Sequence, residues 1–205
     1  MQQKGVRLLK RRLVAKLTSS QHKSLGKGTY GSCYLVEEAA THTPLVVKTF
    51  TRNALKDLVT EATNLHRLRL PGVQRAIGVC VETRQLISPF AGNTAKDYFR
   101  TCPSVPDSLS VFLQVSRTLR RITRNHFAHN DLKGNNICVR VEKSGPVATI
   151  IDLGLAKPVG TTRFYAQTPF TERYPWIAPE LLQHTGHCCE ASDVYGLAYF
   201  IHHEL

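Results

Sequence analysis

The sequence predicts an α+β fold, with strands gathered in the first part of the chain and helices dominating the second. Three observations carry this. Leu45-Val46-Val47-Lys48 is a β-branched apolar run; Leu109, Phe112, Leu113, Leu119 and Ile122 recur at helical spacing; Ile137, Val139 and Val141 alternate as one face of a strand does. With 205 residues, 42% of them hydrophobic, the chain is large enough to bury a real core. It holds no run of 18 apolar residues, and its first twenty residues carry lysines and arginines where a signal peptide needs an apolar centre. An intracellular protein, cytoplasmic or nuclear, is expected. The six cysteines, at 33, 80, 102, 138, 188 and 189, show no C-x-x-C pair, which fits a reducing compartment.

In chain order, residues 1–18 form a basic extension. Residues 20–27 and 31–38 are expected to pair as a hairpin, and His42 to Pro44 turns into the strand that carries Lys48. Asn53 is the expected cap of a helix reaching Leu68, with Leu58, Leu65 and Leu68 on one face and Glu61 beside them. Pro71-Gly72 ends that helix, and Val73 to Val81 and Gln85 to Ser88 read as strands. Asn93 caps a short helix, and Pro106-Asp107-Ser108 opens a long one. Glu142 to Pro146 is turn chemistry that closes a hairpin. From Asp193, the run Val194 to Ile201 is apolar nearly all round, the pattern of a helix buried on every side.

The formal net charge is +12. One focus is Lys4, Arg7, Lys10, Arg11, Arg12 and Lys16. These alternate with Val6, Leu8, Leu9, Leu13, Val14 and Leu17, as in a short amphipathic helix that could dock on the fold, touch a membrane or serve as a localisation signal. The other is Arg117, Arg120, Arg121 and Arg124, one helical stripe that reads as a solvated face. Charge alone favours a nucleic-acid-binding module; no aromatic residues interleave with the arginines to make a stacking platform. Neither a strong nucleic-acid motif nor a membrane motif is present. The cluster His184 to Cys189 has zinc-ligand residue types but no second cluster to complete a site, and reads as a loop.

Chemistry concentrates in His129-Asn130-Asp131-Leu132-Lys133-Gly134-Asn135-Asn136, a loop held between a helix and a strand. One carboxylate, one lysine and two amides suit a site that takes a proton from a hydroxyl, steadies a phosphoryl group and ligates a divalent cation. Upstream, Gly26, Gly28 and Gly31 follow Leu25 at G-x-G-x-x-G spacing, which lets backbone N–H groups approach phosphate oxygens. Lys48 follows in its strand; downstream come Asp152-Leu153-Gly154, Ala178-Pro179-Glu180 and Asp193. Glu61 reads either as a surface charge or as the partner of Lys48.

These elements, in this order, resemble a eukaryotic-type protein kinase domain of the serine/threonine or tyrosine-kinase-like branch. The resemblance implies a two-lobed fold over 19–205. Its small β-rich lobe (about 19–88) carries one main helix, a hinge follows (about 89–93), and the mainly helical second lobe (about 94–205) lacks its last helices. It implies that Lys48 contacts the α/β-phosphates of ATP and pairs with Glu61, and that Asp131 is the catalytic-loop aspartate. Asn136 and Asp152 hold Mg2+, or Mn2+ in its place, and Lys133 is the γ-phosphate lysine of serine/threonine kinases. Leu25, Gly26, Gly28 and Gly31 cover the nucleotide, and Cys33, Val46 and Cys138 sandwich the adenine. The implied activity is transfer of the γ-phosphoryl group to a protein hydroxyl, serine or threonine. The alternative is a nucleotide-binding pseudokinase or regulatory fragment without useful turnover. The partner is a protein substrate, with the basic N-terminal segment as a candidate docking element. Because the chain stops near its last apolar helix, it is expected to be a truncated product, poorly soluble, self-associating or dependent on a partner.

Two substitutions in the pattern bear on acceptor and packing. Leu153 stands where the family has phenylalanine, one apolar group for another, and Trp176 resembles tyrosine-kinase or tyrosine-kinase-like sequences while Lys133 resembles serine/threonine kinases. A third bears on regulation. Asn130 stands where an arginine commonly pairs with an activation-loop phosphate, so phosphate on Thr161, Thr162, Tyr165, Thr168 or Thr171 lacks its usual partner. Activity is therefore expected to persist after phosphatase treatment; loss of activity with recovery on rephosphorylation would contradict this.

Overall fold

The computed structural model describes residues 6–17, 23–38, 40–162 and 173–204. They belong to two compact units, one drawn from Met1–Arg69 and Gln74–Phe90, the other from Leu70–Val73 and Ala91–Leu205. The first is built on an antiparallel sheet of β1 (Lys23–Gly28), β2 (Gly31–Glu37), β3 (Pro44–Phe50), β4 (Gly78–Cys80) and β5 (Gln85–Pro89), in the order β1-β2-β3-β5-β4. Thr29-Tyr30 makes the turn of the first hairpin, and the register pairs Cys33 with Lys48 and Lys48 with Leu86. Side chains alternate across a strand. Leu45 and Val47 of β3 are therefore buried on one face with Val36, Cys80 and Ile87, while Lys48 points to the other.

Helix α2 (Leu55–Arg67) serves the Lys48 face, burying Leu58, Glu61, Ala62 and Leu65. Its N-cap is Ala54 without a side-chain bond, not the expected Asn53, because Ala54 N–H already donates to the Thr51 carbonyl in a turn that sets the helix entry. The expected strand from Val73 to Val81 shortens to β4. Val73 instead makes an isolated parallel bridge with Ile150, and the Ile150 N–H donates to the Gly72 carbonyl, so this stretch belongs to the second unit.

The basic N-terminal segment docks on the opposite face of the sheet. Leu8 bridges Val79 in parallel; the Val79 N–H donates to the Arg7 carbonyl at 2.9 Å and the Leu9 N–H to the Val79 carbonyl at 2.7 Å. Helix α1 (Arg11–Leu17) follows. Leu9 and Val14 are buried at 6% and 2% exposure in the cluster of Val36, Leu45, Val47, Cys80 and Ile87, with Leu17 packed against it. Gly78 permits this approach, since a Cβ there would lie 2.7 Å from the Arg7 carbonyl oxygen. Arg7, Lys10, Arg11, Arg12 and Lys16 stay exposed.

The second unit holds α3 (Ala95–Phe99), α4 (Val105–Arg124), α5 (Pro179–Leu182) and α6 (Glu190–Glu204). It also holds a three-stranded sheet in the order β6 (Asn93–Thr94), β8 (Ile137–Glu142), β9 (Gly145–Ile150), and the pair β7 (Phe127–Ala128) with β10 (Lys157–Pro158). Thr94, not Asn93, caps α3, because Asn93 is taken into β6 and its neighbour's hydroxyl accepts from the Asp97 N–H. Ser104 caps α4 in the same way. Leu109 and Leu113 are exposed, contrary to the periodic reading, since the buried face runs through Val111, Phe112, Val115, Thr118, Leu119 and Ile122. Arg117, Arg120, Arg121 and Arg124 lie on the exposed side.

Helix α6 buries only Ser192, Asp193, Gly196 and Phe200, and Val194 and Tyr195 are exposed, so the expectation of burial on every side does not hold. Among the described residues, neighbours cover one stripe of it: Phe200 meets the stacked rings of Phe99 and Phe112 edge-on, at 6.0 and 5.4 Å. Cys188 is buried in a second cluster with Ala128, Ile177, Ala178, Leu181 and Leu182. Among the described residues no group of three or more histidines, cysteines or acids is placed to hold a metal, and no helix is long and apolar enough to cross a membrane.

The docked N-terminal segment yields a stability prediction. Leu9→Ala should cost about 2–5 kcal/mol of unfolding free energy by cavity formation, whereas the exposed Leu8→Ala should stay within about 0.5 kcal/mol. Chemical denaturation of the two variants beside the parent chain checks this.

Candidate active site

In the first unit, the Lys48 ammonium lies 2.7 Å from the Glu61 carboxylate and 5.1 Å from the centre of the Phe50 ring. Glu61 is buried, held inward by the α2 face that also buries Leu58 and Leu65. A buried pair of this kind does little for net stability, because desolvation offsets the attraction; its value is in fixing where the charge sits. Above it in the sheet are the hairpin glycines. Gly31 has a packing reason, since a Cβ would fall 2.0 Å from the Thr49 carbonyl oxygen. Gly28 has none: a Cβ there would meet nothing within 4 Å, which leaves open space over its backbone. That is the room a phosphate group needs to approach N–H donors. Leu25 is exposed, Gly26 takes a φ of 145°, and Cys33 and Val46 are half-buried.

In the second unit, the loop from His129 to Asn136 is organised from beneath by α6. Asp193, buried, accepts from the His129 N–H at 2.7 Å and the Asn130 N–H at 2.8 Å. Burial pushes its carboxyl up from the ordinary range, opposed by the nearby His129 ring and by these two backbone bonds. Removing the carboxylate would strand two buried donors, each at about 1–3 kcal/mol. His129 is itself fully buried. Its Nδ1 accepts from the Asp131 N–H, so Nε2 carries the proton and donates to the Ile151 carbonyl at 3.2 Å. Asn130 adopts a left-handed φ of 64°, which asparagine tolerates, and its amide donates to the carbonyls of Ala128 and Leu155. The position read as a missing arginine is thus a buried tie between this loop and the Asp152 segment.

On that base stands the Asp131 carboxylate. Lys133 Nζ is 3.1 Å from both of its oxygens, Asn136 Nδ2 donates to Oδ2 at 2.8 Å, and Trp176 Nε1 donates to Oδ1 at 2.6 Å. Asn136 also donates to the Asp131 carbonyl, so its amide nitrogen is committed and its carbonyl oxygen is the atom left for a cation. Asn136 precedes β8 and Asp152 follows β9; the Ile137–Ile150 pair and the Ile151 N–H bond to the Asn136 carbonyl close that hairpin end. Asp152 has a φ of 59° and its carboxylate accepts from the Gly154 N–H. An amide oxygen and carboxylates are the hard donors that magnesium takes. Cys138 is buried in β8. Thr162 Oγ1 lies 2.9 Å from His187 Nδ1, whereas Tyr165, Thr168 and Thr171 lie outside the described residues.

Two residues of this site were not assigned to it by sequence reasoning. Asp193 was visible only as an acid at the head of an apolar helix. Trp176 was visible only as a branch marker, and nothing local announces a bond to a residue 45 positions away.

The sequence profile of the family described as protein kinase domain matches residues 19–205. Similar curated proteins include human dual specificity testis-specific protein kinase 1, 28% identical over 78% of this chain and 27% of that protein. Serine/threonine-protein kinase STY46 of Arabidopsis thaliana is 26% identical over 82% of this chain and 29% of that protein. Human tyrosine-protein kinase ZAP-70 is 28% identical over 77% and 27%. The chain thus spans less than a third of the length of these relatives. A glycine-turned hairpin, a lysine–glutamate pair and an aspartate loop braced on a helix agree with that match, and the chain belongs to the protein kinase domain family.

Proposed function

We propose that the chain is an ATP- and magnesium-dependent protein kinase that phosphorylates serine or threonine hydroxyls. The observation that carries this reading is the Asp131 carboxylate, held on both oxygens by neighbours in its own loop and set on a buried base. Asp131 orients the acceptor hydroxyl and takes its proton. Lys48, steadied by Glu61, meets the α/β-phosphates; Leu25, Gly26, Gly28 and Gly31 cover them; Cys33, Val46 and Cys138 line the adenine; Asn136 and Asp152 hold the metal. When bound, Mg-ATP supplies the phosphoryl group and the metal neutralises phosphate charge. Lys133 lies beside Asp131 and steadies the transferring group, a feature supporting serine or threonine as acceptor. The named relatives include dual-specificity, serine/threonine and tyrosine kinases, so phosphoamino-acid analysis of the product decides the acceptor.

A second reading, a nucleotide-binding regulator without useful turnover, draws on the same carboxylate, both of whose oxygens already have donors. One experiment separates the two. Transfer of labelled phosphate and Mg-ATP binding are measured for the parent chain, Asp131→Ala and Asp152→Ala. Asp131→Ala should abolish transfer with little change in ATP affinity, and Asp152→Ala should weaken Mg-ATP binding itself. Transfer at the parent rate by Asp131→Ala would remove that residue from the chemistry; binding without transfer by the parent chain would select the second reading.

A further inference from the structure

The Asp131 carboxylate receives two donor groups from its own loop, Lys133 and Asn136, and one from far along the chain. The distant one is the indole of Trp176, whose N–H reaches Oδ1 at 2.6 Å. The same ring lies beneath the Lys133 ammonium, 4.3 Å from its centre. One side chain thus touches both members of the pair at once, the carboxylate with its polar edge and the cation with its π face. An indole offers a donor in the ring plane and negative electrostatic potential above it, so the two contacts use different parts of the ring and do not compete.

The indole is itself held. Tyr174 meets it edge-on at 5.8 Å and 86°, Tyr199 of α6 lies 6.2 Å away, and the Ile177 N–H donates to the Tyr174 carbonyl in the turn that presents it. Gly196 of α6 lets the helix pack closely here: a Cβ would lie 3.3 Å from the Trp176 carbonyl oxygen and 3.2 Å from Leu132 Cβ. The helix that braces the loop through Asp193 therefore also backs Trp176.

We propose that Trp176 is a positioning residue of the phosphotransfer site, fixing the plane of the Asp131 carboxylate through its N–H and sharing the Lys133 charge through its ring. Lys133 is 3.1 Å from both carboxylate oxygens, an ion pair already made, and the indole contacts both of its members. The ring gives the ammonium another place to rest, and the N–H keeps Oδ1 turned to the indole, which steadies the pair for an acceptor hydroxyl. This proposal rests on the kinase reading given above.

Trp176 is the only tryptophan in the chain, so its emission reports this contact without labelling. In the full chain, Asp131→Ala and Lys133→Met should each change the emission maximum or yield of Trp176 while the far-ultraviolet circular dichroism stays the same. The activity arm uses Trp176→Phe with a pooled peptide acceptor carrying serine, threonine and tyrosine. Loss of the N–H should lower kcat about 10- to 100-fold, as misplacement of a catalytic group does, with the KM for ATP within about twofold and the melting temperature of the parent. A merely structural tryptophan would instead lower the melting temperature and leave the kcat of the folded fraction unchanged. Emission unaltered in both Asp131→Ala and Lys133→Met, or parental kcat in folded Trp176→Phe, overturns the proposal; if Trp176→Phe does not fold, the emission of the two single variants decides alone. No transfer by the parent chain together with altered emission would overturn the kinase reading, and with it the catalytic role, while leaving the contact itself established.

Discussion

A single buried carboxylate receives the backbone of the loop on which the chemistry is built. The N–H groups of His129 and Asn130 turn inward, away from solvent, and Asp193 accepts both. Both residues and their acceptor are buried, so the loop depends on that carboxylate to pair its two donors. The bond pattern then propagates upward. With the His129 backbone fixed, its ring reaches the Ile151 carbonyl on one side and the Asp131 N–H on the other. With Asn130 fixed in a left-handed conformation, its amide crosses to Leu155. Asp131 is thus presented on a frame tied at two points, Ile151 and Leu155, to the segment that carries Asp152.

The two units treat charge in different ways. In the first, Lys48 and Glu61 form a close pair under a sheet, a fixed charge on a rigid strand. In the second, Asp131 sits in a cluster in which every partner is a donor and one is aromatic. Cations and amide donors around one carboxylate in a partly buried place strengthen each other's hold, since low local dielectric magnifies each bond.

What could be read in advance was whatever depends on short-range order. Loop motifs, the apolar run in 44–50 and the helical face that puts Glu61 beside Leu58 and Leu65 are local patterns, and they led to the family; the run 137–142 is a strand as read, but it does not alternate, since Ile137, Cys138 and Val139 are all buried and Val141 is exposed. One-residue slips in the helix caps arose because Asn53 and Asn93 sit next to residues whose backbone or hydroxyl was better placed. Long-range choices were not legible. Leu109 and Leu113 fit the helical period as well as Val111 and Val115 do, and only the partner surfaces decide which face is covered. The apolar composition of α6 likewise says nothing of how many neighbours it has. Asn130 could be seen to differ from the family pattern, but its tie to Leu155 spans 25 positions and leaves no periodic trace.

The pairing of Arg7 to Leu9 along β4 also changes what the sheet can do toward other molecules. A short outer strand offers unpaired N–H and carbonyl groups, the usual entry point for a foreign strand. Here the Val79 N–H and carbonyl are both taken by the chain's own first residues. The same docking buries Val14 and packs Leu17 against the core, and the helix turns Arg11, Arg12 and Lys16 outward together with Leu13. A lipid bilayer could then receive Val14 and Leu17 only by taking them out of the core they share with Val36, Leu45, Val47 and Ile87, and membrane insertion of this helix would be bound to partial unfolding of the sheet beneath it.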